Sequence, residues 1–216
     1  CGVIFGLNSF NVSIFTTLVS SSFGKSHVIL RVKLLILCYL VGLLSVFLII
    51  GWAFYNILTQ LDLTVSSYIA IVIASLAILM GLFDIKNYYW PPSVKYPRSM
   101  AKIFHTRTVK NSSYANAATL AIASGFTLLS NIGFGFLSIV SIIYLANVEN
   151  PVLNILIFAL GVILPLVTLA IIFLRKYRPS AIIKWKEDHK KSVYFAIGMT
   201  NIVIGWIVLL TINGSI

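Results

Sequence analysis

The stretch GLNSFNVSIFTTLVSSSFG, residues 6–24, is apolar enough to enter a bilayer, yet it holds two Asn, two Thr and five Ser and not one charge. A helix satisfies its own backbone, but each side-chain hydrogen-bonding group placed in hydrocarbon still needs a partner. These groups are therefore expected to face protein or a water-lined space rather than lipid.

The rest of the chain supplies that protein. Of 216 residues, 59% are hydrophobic and 10% charged, with a mean hydropathy of +1.00, whereas about a quarter of the residues in a soluble domain are charged. This is the composition of an integral membrane protein. Crossing a hydrocarbon core about 30 Å thick takes about 20 helical residues. Six runs meet that length: Val3–Ser22, Leu34–Leu58, Val65–Phe83, Ala115–Leu145, Val152–Leu174 and Val193–Ile212. None alternates as the strands of a membrane barrel do. The expected fold is all-α, with six transmembrane helices in a single domain, and the overlong fourth run is tilted, kinked or broken.

Charge sets the expected orientation, because Lys and Arg stay on the cytoplasmic side. All 16 basic residues fall in three connections: Lys25, Arg31 and Lys33 after the first run; Lys86, Lys95, Arg98, Lys102, Arg107 and Lys110 after the third; and Arg175, Lys176, Arg178, Lys184, Lys186, Lys190 and Lys191 after the fifth. The opposite connections carry only Asp62 and Glu149. Both termini are therefore expected outside a cell membrane. The net charge of +11 follows from this sorting. It implies anionic lipid headgroups as partners and does not call for nucleic acid. The two long inner connections, NYYWPPSVKYPRSMAKIFHTRTVKNSS and RKYRPSAIIKWKEDHKKSVY, each mix aromatics, prolines and basic residues. They are expected to lie on the inner membrane face, with Pro179 opening a short amphipathic helix.

The runs also pair in order. The first holds NVSIFTTLVS from Asn11 and the fourth NIGFGFLSIVS from Asn131; the second and fifth hold YLVGLLSVFLII and FALGVILPLVTLAII; the third and sixth hold ILMGLF and IVIGWI. Three crossings per half is an odd number, so the halves must have opposite orientation. The reading is an inverted three-plus-three repeat. The first half covers 1–86, an inner interfacial loop 87–114 and the second half 115–216.

Residues 6–24 are similar to the first helix of the CcdA/DsbD family of cytochrome c biogenesis (thiol-disulfide) membrane proteins, which places Asn-Pro-Cys ahead of a small-residue helix. LAILMGLFDIKNYYWPP resembles that family's third-helix exit, and NILIFALGVILPL its fifth helix, with Asn154, Phe158 and Pro165 matching. The resemblance covers nearly the whole chain and implies a membrane protein descended from carriers of reducing equivalents; the richness in Ile, Ser and Asn and the scarcity of Cys fit a prokaryotic membrane. At the two family cysteine positions this sequence has Ser13 and Gly133, with Gly135 an alternative register for the second. A hydroxyl cannot form a mixed disulfide, so the family reaction is lost at both places.

No other chemistry replaces it. Cys1 is expected at the outer side of the membrane and Cys38 near the inner side, far beyond the roughly 7 Å between Cα atoms that a disulfide allows; Cys38 reads as a small apolar core residue. Cys1 is either a lipidated terminus or preceded by further chain. His27, His105 and His189 lack ligand spacing, and no ionisable residue is expected deep in a run, which disfavours charge-coupled pumping. No metal or cofactor is expected. What remains is a possible polar intramembrane cavity formed by Asn8, Asn11, Ser13, Thr127, Ser130 and Asn131. Three functions follow, in this order: a non-catalytic scaffold or accessory subunit of a larger membrane assembly, a divergent electron-transfer protein acting through partner thiols, and a small-solute carrier.

Overall fold

The computed structural model describes residues 1–25, 29–90, 114–175 and 179–214. Among them the regular structure is entirely helical: α1 (Gly2–Gly6), α2 (Ser9–Lys25), α3 (Ile29–Gln60), α4 (Leu63–Tyr89), α5 (Tyr114–Leu145), α6 (Pro151–Arg175) and α7 (Pro179–Ile212). Four helices are continuous and apolar over a membrane-crossing length: α3, α4, α6 and the Lys191–Ile212 part of α7. A fifth, α5, qualifies as a bent pair, Tyr114–Leu129 and Ile132–Leu145, whose axes differ by 80°.

The first run departs from a continuous span. Leu7 and Asn8 interrupt it, leaving the five residues of α1 and then α2, whose apolar part is Asn11–Ser20. Around the break the Asn8 amide turns back to the Phe5 carbonyl at 3.2 Å, and the Asn8 carbonyl receives the Val12 amide at 3.1 Å. Asn at a helix start suits that backbone better than any apolar residue would. The chain thus ends one helix and begins another where the sequence is most polar. The fourth run, expected to be tilted, kinked or broken, is bent across residues 130–131.

Two boundaries need correction. The expected short amphipathic helix does begin at Pro179, but it continues without a stop through the sixth run to Ile212, since no Gly or Pro intervenes before Gly198. Likewise α4 runs past Phe83 to Tyr89, so Asp84, read as lying outside the third run, sits in the helix and is half-buried with its Cβ against Gly198. Residues 91–113, most of the expected interfacial loop, lie outside the described residues, as do His27 and His105.

Glycine sets how the helices approach. A Cβ built on Gly81 would lie 2.5 Å from the Gly198 carbonyl oxygen, and one on Gly205 would lie 2.7 Å from the Ala74 carbonyl oxygen. The pair α4 and α7 is therefore antiparallel and in backbone contact, as small residues permit in membranes. A Cβ on Gly42 would meet Ala121 Cβ at 2.8 Å, placing α3 on α5, and one on Gly161 would meet Gly2 Cα at 3.3 Å, placing α6 on α1. Between these pairs stands an aromatic core. Phe136 lies 5.3 Å from Phe47 and 5.2 Å from Phe158 between ring centroids, and Phe5 lies 6.0 Å from Phe158. Phenylalanines from α1, α3, α5 and α6 thus close the centre with offset and edge contacts. At one end of the helices Trp52, Tyr55 and Tyr144 gather; at the other Tyr88, Tyr89, Trp90 and Phe195 do. Aromatic belts of this kind mark the two interfaces of a bilayer.

Candidate functional site: buried polar groups beside the interrupted helices

The interruption of the first run brings Asn8 and Asn11 inside. Asn8 is buried at the break, and Asn11, in the first turn of α2, is fully buried. The Tyr39 hydroxyl on α3 donates to Asn11 Oδ1 at 2.8 Å and lies 2.9 Å from Ser124 Oγ on α5. A buried hydroxyl chain therefore ties α2, α3 and α5 together. The Ser124 hydroxyl also donates to the Ala121 carbonyl within α5 at 2.9 Å. Asn11 Nδ2 has no hydrogen-bond partner among the described residues.

A second polar locus lies where α5 meets α7. Asn201 is 1% exposed, and its Oδ1 sits against Gly135, where a Cβ would collide with it; the same imagined Cβ would lie 3.0 Å from Phe5 Cζ. Asn201 Oδ1 therefore lies close to the tip of the Phe5 ring. An oxygen resting on a glycine Cα is weakly attractive through Cα–H···O. That contact is not an N–H or O–H bond, and Oδ1 has no such partner among the described residues. Ser138, one turn along α5 from Gly135 and fully buried, likewise leaves Oγ without a partner. Unpartnered polar atoms in a dry interior each cost about 1–3 kcal/mol.

The other expected residues fall as follows. Ser13 is half-buried and its carbonyl accepts from Thr17 Oγ1 at 2.9 Å. Thr127 Oγ1 donates to the Ala123 carbonyl at 2.8 Å, within α5. Ser130 and Asn131 belong to α5 at its bend, but their side chains lie outside the described residues. Gly133 is buried, and among the described residues a Cβ there would meet only the Leu129 side chain, at 3.7 Å. Asn8 and Asn11 are buried, and Thr127 bonds back within α5. Cys38 packs against the core as expected of a small apolar residue, and Cys1 is exposed.

Tyr39, Ser124, Ser138 and Asn201 are additions to the site. Asn201, the one amide in the run Val193–Ile212, is legible in the sequence on that ground. Tyr39 and the single serines of long apolar helices give no signal of their own. The described groups at this centre, Asn8, Asn11, Tyr39, Ser124, Ser138 and Asn201, are all of uncharged residue types. No family model, curated protein or solved structure matches the chain.

Proposed function

We propose that this chain is a membrane carrier for a small neutral polar solute, built as an inverted three-plus-three repeat with six crossings and both termini outside. The observation that carries the reading is the position of the interruptions. The first and fourth runs, which correspond in the two halves, are the two that break or bend, and buried polar atoms without partners stand beside the first of them. Interrupted helices at corresponding places in two halves are the usual mark of a carrier's binding site.

Support for the repeat comes from the glycine contacts. Gly42 meets Ala121 as Gly161 meets Gly2, and 161 is 119 past 42 just as 121 is 119 past 2. The same offset relates Gly6 beside Pro165 to Gly125 beside Val46. For the last helix of each half the contacts exchange completely: Gly81 on Gly198 becomes Gly205 on Ala74 when both members shift by 124. A two-fold relation between halves of opposite orientation produces such exchanges, and unrelated helices have no reason to.

One observation favours a second reading, the accessory subunit. The resemblance to the CcdA/DsbD family puts a cysteine at Gly133, and this buried glycine has space for a Cβ. A fold that keeps room for a side chain it no longer carries fits a protein recruited for assembly or acting through a partner's thiols. One experiment separates the readings. Uptake of neutral solutes by liposomes holding the purified chain alone supports the carrier. A stoichiometric complex in native mass measurement, with no uptake by the isolated chain, supports the subunit.

A further inference from the structure

We infer that two contacts, Tyr39 with Ser124 and Phe5 with Phe158, are the paired closures of one path through the membrane: a hydrogen-bonded latch toward the face that carries Arg31, Lys33 and Arg175, and an aromatic plug toward the other. The inference deepens the carrier reading and rests on the inverted repeat proposed with it.

The two contacts occupy the same place in the two halves. The offset of 119 that exchanges the glycine contacts carries Tyr39 onto Phe158 and Phe5 onto Ser124. The Tyr39 hydroxyl on α3 lies 2.9 Å from Ser124 Oγ on α5, and the Phe158 ring on α6 lies 6.0 Å from the Phe5 ring on α1 between centroids. Each contact joins the segment ahead of an interruption to the second helix of the opposite half. Ser124 precedes the bend of α5 at residues 130–131, and Phe5 precedes the break at Leu7 and Asn8. Halves of opposite orientation put equivalent contacts at opposite depths. Phe47, whose ring lies 6.4 Å from that of Phe158, stands eight residues beyond Tyr39 on α3, about 12 Å along a helix. Contacts between halves at two depths are what a rocking of one half on the other must break in turn.

Their chemistry makes them unequal. Tyr39 donates to Asn11 Oδ1 at 2.8 Å and Ser124 donates to the Ala121 carbonyl at 2.9 Å, so neither hydroxyl depends on the other for a partner. When the latch parts, each keeps an acceptor and no buried donor is stranded, which keeps the cost small. The plug has no such substitute. Phe5, Phe47 and Phe136 are fully buried, and the Phe136 ring stacks 5.2 Å from that of Phe158. Parting these rings brings apolar surface to water.

The test places one reporter thiol between the closures. In the full chain with Cys1→Ser and Cys38→Ala, Gly133→Cys puts a thiol at a buried position that follows Ser124 and precedes Phe136 on α5, where among the described residues a Cβ meets only Leu129. A charged, membrane-impermeant methanethiosulfonate reagent is applied to one face at a time in vesicles of a single orientation. The expected result is slow labelling of this background from both faces, a rise of about tenfold from the basic face alone in Ser124→Ala, and a rise from the other face alone in Phe158→Ala. Phe158→Leu, which keeps most of the side-chain volume, gives the same sidedness at smaller size and guards against misfolding of Phe158→Ala. Rises from both faces alike, or from neither, overturn the inference. Liposome uptake of acetamide, urea and glycerol separates it from the carrier reading. Sided labelling without uptake leaves the closures standing and removes the carrier. Uptake with labelling that no closure variant changes removes the closures and leaves the carrier.

Discussion

The pair α4 and α7 and the centre around the interrupted helices solve the same problem in opposite ways. In the first, side chains are removed: Gly81, Gly198, Gly205 and Ala74 bring two backbones together, and no side-chain hydrogen bond is required. In the second, side chains are retained where helices break, and Asn11, Asn201 and Ser138 enter the interior with hydrogen-bonding capacity left over. Close packing without polarity makes a fixed seam. The contrast assigns rigidity to the α4–α7 seam and unpaired polarity to Asn11, Ser138 and Asn201.

The largest expected effect breaks the seam. In Gly81→Leu even the Cβ would lie 2.5 Å from the Gly198 carbonyl oxygen and 2.7 Å from Ile202 Cγ1, and backbone cannot yield as a flexible side chain can. Overpacking of this kind costs at least about 3 kcal/mol. The variant is expected to elute as aggregate on size exclusion, while the parent gives one symmetric peak. A stable, monodisperse Gly81→Leu protein would show that α4 and α7 are not held as described.

Next comes Gly135→Ala, at the polar centre. The new methyl collides with Asn201 Oδ1, but that group is the end of a side chain and can swing away. A loss of about 1–3 kcal/mol is expected in thermal unfolding. Adding Asn201→Ala removes the collision, so the double variant should recover most of the loss, a coupling between neighbours that independent sites do not show. Additive losses would place Asn201 elsewhere.

How much of this was legible in the sequence depends on which force decided each feature. Length and apolar composition placed α3, α5 and α6 within a few residues of their described bounds, because lipid imposes both on any crossing helix. The opening stretch announced polarity but not its consequence, since whether Asn8 bends, caps or breaks a helix is decided by the neighbours that enclose it. The stop at Phe83 was misplaced for the reverse reason. Asp84 and Lys86 read as the end of the membrane, yet helix propagation costs nothing at a charged residue with water or protein nearby, so α4 continues to Tyr89. Gly81 and Gly205 stood out as a matched pair of motifs, and their packing partners followed from the fold. Tyr39, Ser124 and Ser138 are ordinary residues in sequence. Only their burial and partners in space make them part of a site.

Tyr39→Phe comes third. It removes the hydroxyl that joins Asn11 to Ser124 while keeping the ring that packs 5.7 Å from Phe15. A loss of about 1 kcal/mol is expected, in keeping with interhelical hydrogen bonds in membranes. Ser124→Ala removes the other end of one of these contacts, so the double variant with Tyr39→Phe should lose less than the sum of the two single losses. Strictly additive losses would mean that Tyr39 and Ser124 do not bond each other.

The smallest effect has the opposite sign, and it tests the comparison within a single turn of α5. Gly133 stands two residues before Gly135, is also buried, and has no positive φ to justify glycine. A Cβ at Gly133 would meet only Leu129 carbons among the described residues, at 3.7 and 3.9 Å, which is ordinary van der Waals contact. Replacing a glycine inside a helix by alanine under those conditions stabilises by about 0.5–1 kcal/mol, through the unfolded chain's lost freedom. Gly133→Ala should therefore raise the unfolding midpoint slightly where Gly135→Ala lowers it. If both lower it, the bend of α5 itself requires glycine at both positions, and residue 133 is part of the hinge rather than the edge of a space. If Gly133→Ala is stabilising but slows solute uptake, the space beside Leu129 belongs to the path. Glycine at 133 is then kept for what passes it, as glycine at 135 is kept for what rests on it.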